Sequence, residues 1–409
     1  MATDTPVIDL LDGHFYAGDP YPTYAWLREH SPVHWDAHRG IWGISRYHDI
    51  VAIEKDAARY TSAQGSRPLI DMSESMINMD DPQHQRQRAM VLRQFTPRAV
   101  KSLEDDIRQV VTELIDHVCT KGYCDVVADL AAPLPAILIG RELGYPTEMW
   151  RKVVWWSTAT MQGGGGPHFH TTESMAAIND WGAATYGIIQ ARKAEPRDDL
   201  ISVWCHREVE TDDGPRPLPD SEVYQETLLV LDGGAETTRS VIGTTCLELM
   251  TRPEQRQIML DDPAVIRTTA VEEFIRWATP VLNMRRTVTE DHELHGQALR
   301  SGQQVLLMYS SANRDPEVFD DPETFDVRRT HNHHVAFGFG THFCLGASLA
   351  RLEIAVLFEE LLRRLPDMRL RPYADPRYQP SAFARGLKDL HVEFTPTDPE
   401  GTGALGLFA

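Results

Sequence analysis

The chain has 409 residues and a net charge of −20, from 40 basic and 60 acidic side chains. That balance excludes the basic footprint of a nucleic-acid binder. No run of about 18 apolar residues is available to span a bilayer, while 42% hydrophobic residues are enough for a sizeable core. The five cysteines (Cys119, Cys124, Cys205, Cys246, Cys344) are odd in number and scattered. This is the usage expected of reduced thiols in a cytoplasm. Cys119 and Cys124 have no second pair with which to bind zinc. The polar start, Met1 to Pro6, lacks the apolar segment of a secretory signal, so a cytoplasmic protein is expected.

In chain order, Tyr21 to Glu29 carries apolar residues at helical spacing, Ile41 to Ser45 alternates like a strand, and Tyr47 to Glu54 returns to a helix. Ser62 to Asn78 has no clear period and reads as a loop. Asp80, Asp81 and Pro82 then form a helix start, and His84 and Arg88, four apart, share one face. Val100 to Val118 is predicted as one amphipathic helix and Asp125 to Leu143 as a second, strongly apolar one. The four glycines 163–166 oppose a helix, and another is expected over Ser174 to Ala194. Thr211 to Pro215 reads as a tight turn between short strands.

The longest helical signal starts at Pro219-Asp220-Ser221-Glu222 and stops before Pro253. About 30 residues give roughly 45 Å, enough to cross a domain. Gly233 and Gly234 sit in its middle. Each costs about 1 kcal/mol in a helix interior, a cost tolerated where something must approach the backbone. Glu273 and Arg276, three apart on the next helix, face together. Val281 to Asp291 alternates like a strand, and Phe383 to Phe394 reads as a closing hairpin.

Phe337-Gly338-Phe339-Gly340-Thr341-His342-Phe343-Cys344-Leu345-Gly346 reads as a loop presenting one thiolate, with a helix opening near Ala347. Its glycines let the backbone bend tightly and approach a flat partner. A lone thiolate among phenylalanines is suited to ligate haem iron, where it favours O–O cleavage. The spacing of Phe337, Gly340, Cys344 and Gly346, and the continuation to Glu353, resemble the cytochrome P450 superfamily of haem-thiolate monooxygenases.

That resemblance implies a mainly α fold with a small β portion, a triangular helical haem domain crossed by a long central helix. It implies one domain over residues 1–409, its β-rich portion drawn from about 30–60, 280–310 and 380–396. It implies haem b (iron protoporphyrin IX), with Cys344 as the metal ligand and Phe337, Gly346, Gly233 and Gly234 against the cofactor. His84, Arg88, Arg286 and His342 would hold the propionates. Glu236 and Thr237 match the family's acid–alcohol pair, which delivers protons to bound O2. Ser62 to Asn78 and the glycine run would cover the substrate channel. Glu273 and Arg276 match a structural lock whose third partner is an arginine. Here that segment reads Pro322-Glu323-Thr324-Phe325, so the partner is expected to be missing or supplied elsewhere.

The stretches Asp125 to Leu143, Glu226 to Arg239 and Thr279 to Asn283 resemble actinobacterial steroid side-chain hydroxylases. They imply terminal hydroxylation of cholesterol or cholest-4-en-3-one. A terpenoid, macrolide or fatty acid fits the apolar stretch Val281 to Met284 as well. A peroxide-driven peroxygenase and a haem-based ligand sensor are the alternatives of other classes. No flavin or nicotinamide motif is present. Electrons are therefore expected from a ferredoxin and its NAD(P)H-dependent reductase, docking on a patch that includes Arg86, Arg93 and Arg98.

Overall fold

The computed structural model describes residues 8–68, 75–163 and 171–408. The expected covering loop and glycine run therefore lie partly outside the described residues. The long helix spans Asp220–Thr251, 32 residues, with Asp220 and Glu222 in its first turn. Its buried positions lie on several sides, as an interior helix requires. It packs against helices Pro133–Leu143, Trp150–Gly163, Thr172–Ala194, Val271–Ala278 and Ala347–Arg364. Val230, Leu231, Ala235, Val241 and Ile242 place this helix within the largest apolar core.

A five-stranded sheet flanks that core. Its order is Val33–Asp36, Ile41–Ile44, Gln304–Leu307, Met284–Val288, Tyr60–Thr61. The pairing of Ile41–Ile44 with Gln304–Leu307 is parallel, and the others are antiparallel. The register sets Arg286 opposite Val305, and its guanidinium bonds Glu54 on helix Tyr47–Lys55. The stretch 380–396 does not join this sheet or close as a hairpin. Its strand, His391–Glu393, lies between Arg369–Leu370 and Tyr123–Asp125. Upstream, bridges tie Ala384 to Val281 and Leu387 to Tyr378. The alternating pattern was local, whereas the strand's partners are remote in sequence.

Two expected helices are broken. Val100 to Val118 divides into Pro97–Lys101 and Glu104–Cys119, with Ser102 bonding back to the Ala99 carbonyl at the break. Such local side-chain bonds compete with helix continuation. In Asp125 to Leu143, a wide turn over Val127–Ala131 precedes the helix Pro133–Leu143. Pro133 and Pro135 lack the N–H a continuous helix needs.

The structural lock is complete without an arginine at position 324. Glu273 and Arg276 are fully buried and bonded in bidentate fashion at 2.7 and 2.8 Å. Arg329 brings its Nε to 3.2 Å from Glu273 and bonds the carbonyl of Thr324 at 2.9 Å. Asn332 and the Asp326 N–H also donate to Glu273. The third cation thus comes from five residues beyond the expected site. Removing one partner from a buried charge cluster is costly because the remaining charge stays desolvated. Arg329→Ala is expected to lose about 3 kcal/mol in denaturant unfolding, whereas Arg328→Ala, at an exposed neighbour, changes it by less than about 0.5 kcal/mol.

Candidate functional site

The cysteine loop is built by two left-handed glycines, Gly338 and Gly340, with φ of 68° and 67°. At Gly340 a Cβ would stand 2.8 Å from the Glu54 carbonyl, so only glycine fits. Cys344 N–H donates to Phe337 O at 2.9 Å and closes the loop. Arg88 Nη2 donates to the neighbouring Phe343 carbonyl at 2.7 Å. Helix Ala347–Arg364 begins three residues after the sulfur. Burial pushes the Cys344 thiol up. Opposing it are the Gly346 N–H, the charges of Arg88 and Arg351, and the Ala347 N–H. Those positive groups at a helix start are the setting that stabilises a thiolate.

Cys344 opens into a cavity of about 230 Å³ that also borders Phe337, Gly346, Gly233, Gly234 and Thr237. One wall is cationic. His84, Arg88, Arg286 and His342 all line it, and the two imidazole rings lie 4.1 Å apart. Burial, with Arg286 and His84 adding positive charge, pushes His342 down to about 3. His84 is lowered too, chiefly by burial, although Asp81 accepts from it at 3.2 Å. Glu54, which also lines that wall, is already engaged by Arg286 at 2.6 Å and by the Tyr309 hydroxyl. Four buried or half-buried basic side chains facing one cavity fit a ligand that brings its own carboxylates. The thiol opposite fits a metal. The donor set therefore matches haem.

Gly233 and Gly234 serve different ends. A Cβ on Gly233 meets nothing within 4 Å, so that glycine leaves space over the cavity. A Cβ on Gly234 would stand 2.5 Å from Ile139 Cγ1, so that glycine lets the central helix approach Pro133–Leu143. Thr237 lines the cavity and donates to the Gly233 carbonyl at 2.7 Å. Glu236, beside it in sequence, is turned out of the cavity wall. Its carboxylate takes Arg239 at 2.7 Å, Thr158 at 2.7 Å and Ser157 at 3.2 Å.

Four acids of the site carried no sequence signal. Glu54 orients Arg286. Glu272 holds Arg351 at 2.6 Å and His334 at 3.1 Å, and Arg351 in turn stacks 4.6 Å over Phe337. Burial would raise Glu272, but His334 and Arg351 hold it at about 2. Glu353 lines the cavity and is pushed up by burial to about 8 despite a hydrogen bond from Thr238. Glu226 lies behind the apolar wall. Each looks like an ordinary helix-face acid until distant elements are brought against it.

Two substitutions separate the glycines. Gly234→Ala forces the helix pair apart and is expected to cost about 1–3 kcal/mol in unfolding. Gly233→Ala keeps stability or gains up to about 1 kcal/mol from helix propensity but narrows the cavity. Its expected signature is weakened binding of haem or of an apolar ligand, read by absorbance titration.

The sequence model of the family described as cytochrome P450 matches residues 266–371. A steroid C26-monooxygenase of Mycobacterium tuberculosis is 42% identical over 408 residues, 98% of this chain and 100% of that protein. A steroid C26-monooxygenase of Mycolicibacterium smegmatis is 41% identical, over 96% of this chain and 98% of its own. Among solved structures, CYP109E1 of Bacillus megaterium in complex with testosterone superposes with a TM-score of 0.84. It is 32% identical and covers 92% of this chain and 98% of its own. With the thiol loop, the cationic wall and the glycine-bearing central helix in place, this chain belongs to the cytochrome P450 family.

Proposed function

We propose that this monooxygenase places one oxygen atom of O2 on the terminal carbon of a steroid side chain, with cholesterol or cholest-4-en-3-one as substrate. The carrying observation is the cavity half facing the central helix. Met76, Ile77, Leu229, Val230, Val281 and Met284 line it, with Thr237 as the hydroxyl at its edge. Such a surface holds a rigid hydrocarbon by area and shape, at about 25 cal/mol per Å² buried. Those six described side chains carry no charge that would favour an ionised substrate. The full-length similarity to steroid C26-monooxygenases supports the same reading.

When bound, haem b supplies the O2 chemistry that no side chain provides. Cys344 would be its iron ligand, with the charge on sulfur offset by the N–H groups of Gly346 and Ala347. Arg88, Arg286, His84 and His342 would hold its propionates, and Phe337 and Gly346, which line the cavity with Cys344, would pack against it. Gly233 leaves room for O2 and substrate. Thr237 presents a hydroxyl that passes a proton into the cavity at Oγ1. Glu236 supplies the acid of that pair once its carboxylate leaves Thr158 and Arg239, which hold it in this structure.

Electrons come from a ferredoxin and an NAD(P)H-dependent reductase, in the cytoplasm. Arg93 and Arg98 are exposed and suit an acidic donor. Arg86 is occupied by Asp212 at 2.8 Å and contributes less. No helix among the described residues is long and apolar enough to cross a membrane.

The first measurement is the absorbance of the reduced protein under carbon monoxide, followed by titration of cholest-4-en-3-one into the ferric form. A strongly red-shifted Soret band, absent in Cys344→Ala, is expected. The titration is expected to shift the ferric Soret to shorter wavelength. A thiolate band with no sterol-induced shift removes the steroid and directs the search to terpenoids, fatty acids and macrolides. Loss of the band in neither protein removes the assignment of Cys344.

A further inference from the structure

The wall that meets substrate is tied to the central helix by a carboxyl group that the oxygen chemistry does not use. Glu226 is fully buried on that helix. Its Oε1 accepts two hydrogen bonds, from the Met76 backbone N–H at 2.5 Å and from Gln87 Nε2 at 2.7 Å. Its Oε2 is buried and meets no hydrogen-bond partner among the described residues. Met76 and Ile77 line the cavity, and Gln87 lies on helix Gln83–Ala89 between His84 and Arg88 of the cationic wall. One side chain therefore joins the substrate wall, the cofactor wall and the central helix.

We propose that Glu226 is a positioning residue that stands as a neutral carboxylic acid, its carbonyl oxygen fixing Met76 and Gln87 so that the cavity takes an apolar substrate.

The uneven use of the two oxygens carries this assignment. A carboxylate shares its charge over both, and a buried anionic oxygen without a donor is very costly. A neutral acid needs donors on its carbonyl oxygen alone, and Oε1 has two. Its unpartnered O–H costs far less than an unpartnered anion. The electrostatics agree. Burial pushes Glu226 up to about 7, Gln87 and the Met76 N–H pull it down, and Glu222 pushes it up.

The surrounding charges leave this balance intact. Glu222, on the same helix, is bonded by Arg216 at 2.7 Å. On the helix that carries Gln87, His84 is turned to Asp81, Arg86 to Asp212 and Arg88 to the Phe343 carbonyl. The turn Met76–Asn78 has no charged residue. Arg207, in the neighbouring segment, donates to the Met90 carbonyl.

The sign follows from the direction of the shift. The folded value lies above the unfolded one, so the tie is fully favoured below the unfolded value and is lost as pH rises through about 7. Ionisation puts a bare anionic oxygen behind the cavity wall, which recruits water or displaces Met76.

The inference rests on the substrate reading above only for its choice of probe. The haem-loaded protein is titrated with cholest-4-en-3-one, and in parallel with a long-chain alcohol, following the ferric Soret band. If the neutral form alone binds, Kd rises about tenfold between about pH 6 and about pH 8. Glu226→Gln keeps the carbonyl acceptor without an ionisable group. It is expected to bind as tightly as the parent at the lower pH and to show no rise. Glu226→Leu, which lacks the acceptor, is expected to bind weakly at both. A Glu226→Gln protein with the parent's pH dependence, or with lost binding at low pH, overturns the proposal.

An infrared difference between parent and Glu226→Gln at about pH 6 gives a reading independent of substrate. A carboxylic-acid carbonyl band is expected, and its absence overturns the assignment. A parent that binds the alcohol and no sterol rejects the steroid reading and leaves the Glu226 test in force.

Discussion

Charge must be held in a mostly apolar cavity, around the sulfur and along the basic wall, and the rest of the molecule is arranged to do so. The Cys344 sulfur lies beside the first N–H groups of helix Ala347–Arg364, with Arg88 and Arg351 nearby. Along the adjoining wall His84, Arg286 and His342 join Arg88, with Glu54 paired to Arg286 and Asp81 to His84. A cationic wall of this kind is unfavourable until anions arrive, because like charges in a low dielectric repel strongly. Burial first, and the neighbouring Arg286 and His84 next, keep the His342 ring neutral.

The central helix carries the opposite constraint. It must be long and rigid to cross the core, yet open at one point above the thiol. The adjacent glycines satisfy both demands. Gly233 leaves the cavity open, and Gly234 recovers packing by letting Ile139 sit against the backbone. Polar residues around this point are then distributed by face. Thr237 points to the cavity, while Glu236 and Asp232 point to Trp150–Gly163, where Thr158 and Thr160 bond them. Asp232 also holds Arg67 at 2.9 Å, which stacks 5.1 Å from the Phe383 ring. The helix thus links the segments on either side of the cavity through buried polar contacts as well as apolar packing.

The sequence makes much of this arrangement readable, for physical reasons that differ by element. The cysteine loop is legible because close backbone approach demands glycines at fixed spacing. The central helix is legible because an apolar period of that length has few other uses. His84 and Arg88 are legible as a pair because four residues place them on one helix face. What escapes is set by tertiary partners. The strand His391–Glu393 pairs with residues 123–125, far upstream. The breaks at Ser102 and before Pro133 arise from single local bonds or missing N–H groups within otherwise helical patterns. The lock's third cation moves from position 324 to Arg329, because a turn brings Arg329 to the same carboxylate.

The acids show most clearly why chemistry lags behind fold in such a reading. Glu226, Glu272 and Glu353 are all glutamates on helices, and the sequence treats them alike. Surroundings separate them. Glu272 meets an arginine and a histidine and is held at about 2. Glu226 meets an amide and a backbone N–H, neither charged, and rises to about 7. Glu353 has one hydroxyl for help and rises to about 8. The ordering follows the donors available to offset burial, with full charges counting most. The cations are spent on the groups that must be ionised, around the sulfur and the cofactor wall. The acids left to neutral donors are raised toward neutrality by burial, so the apolar cavity is braced by carboxyl groups whose ionisation is disfavoured.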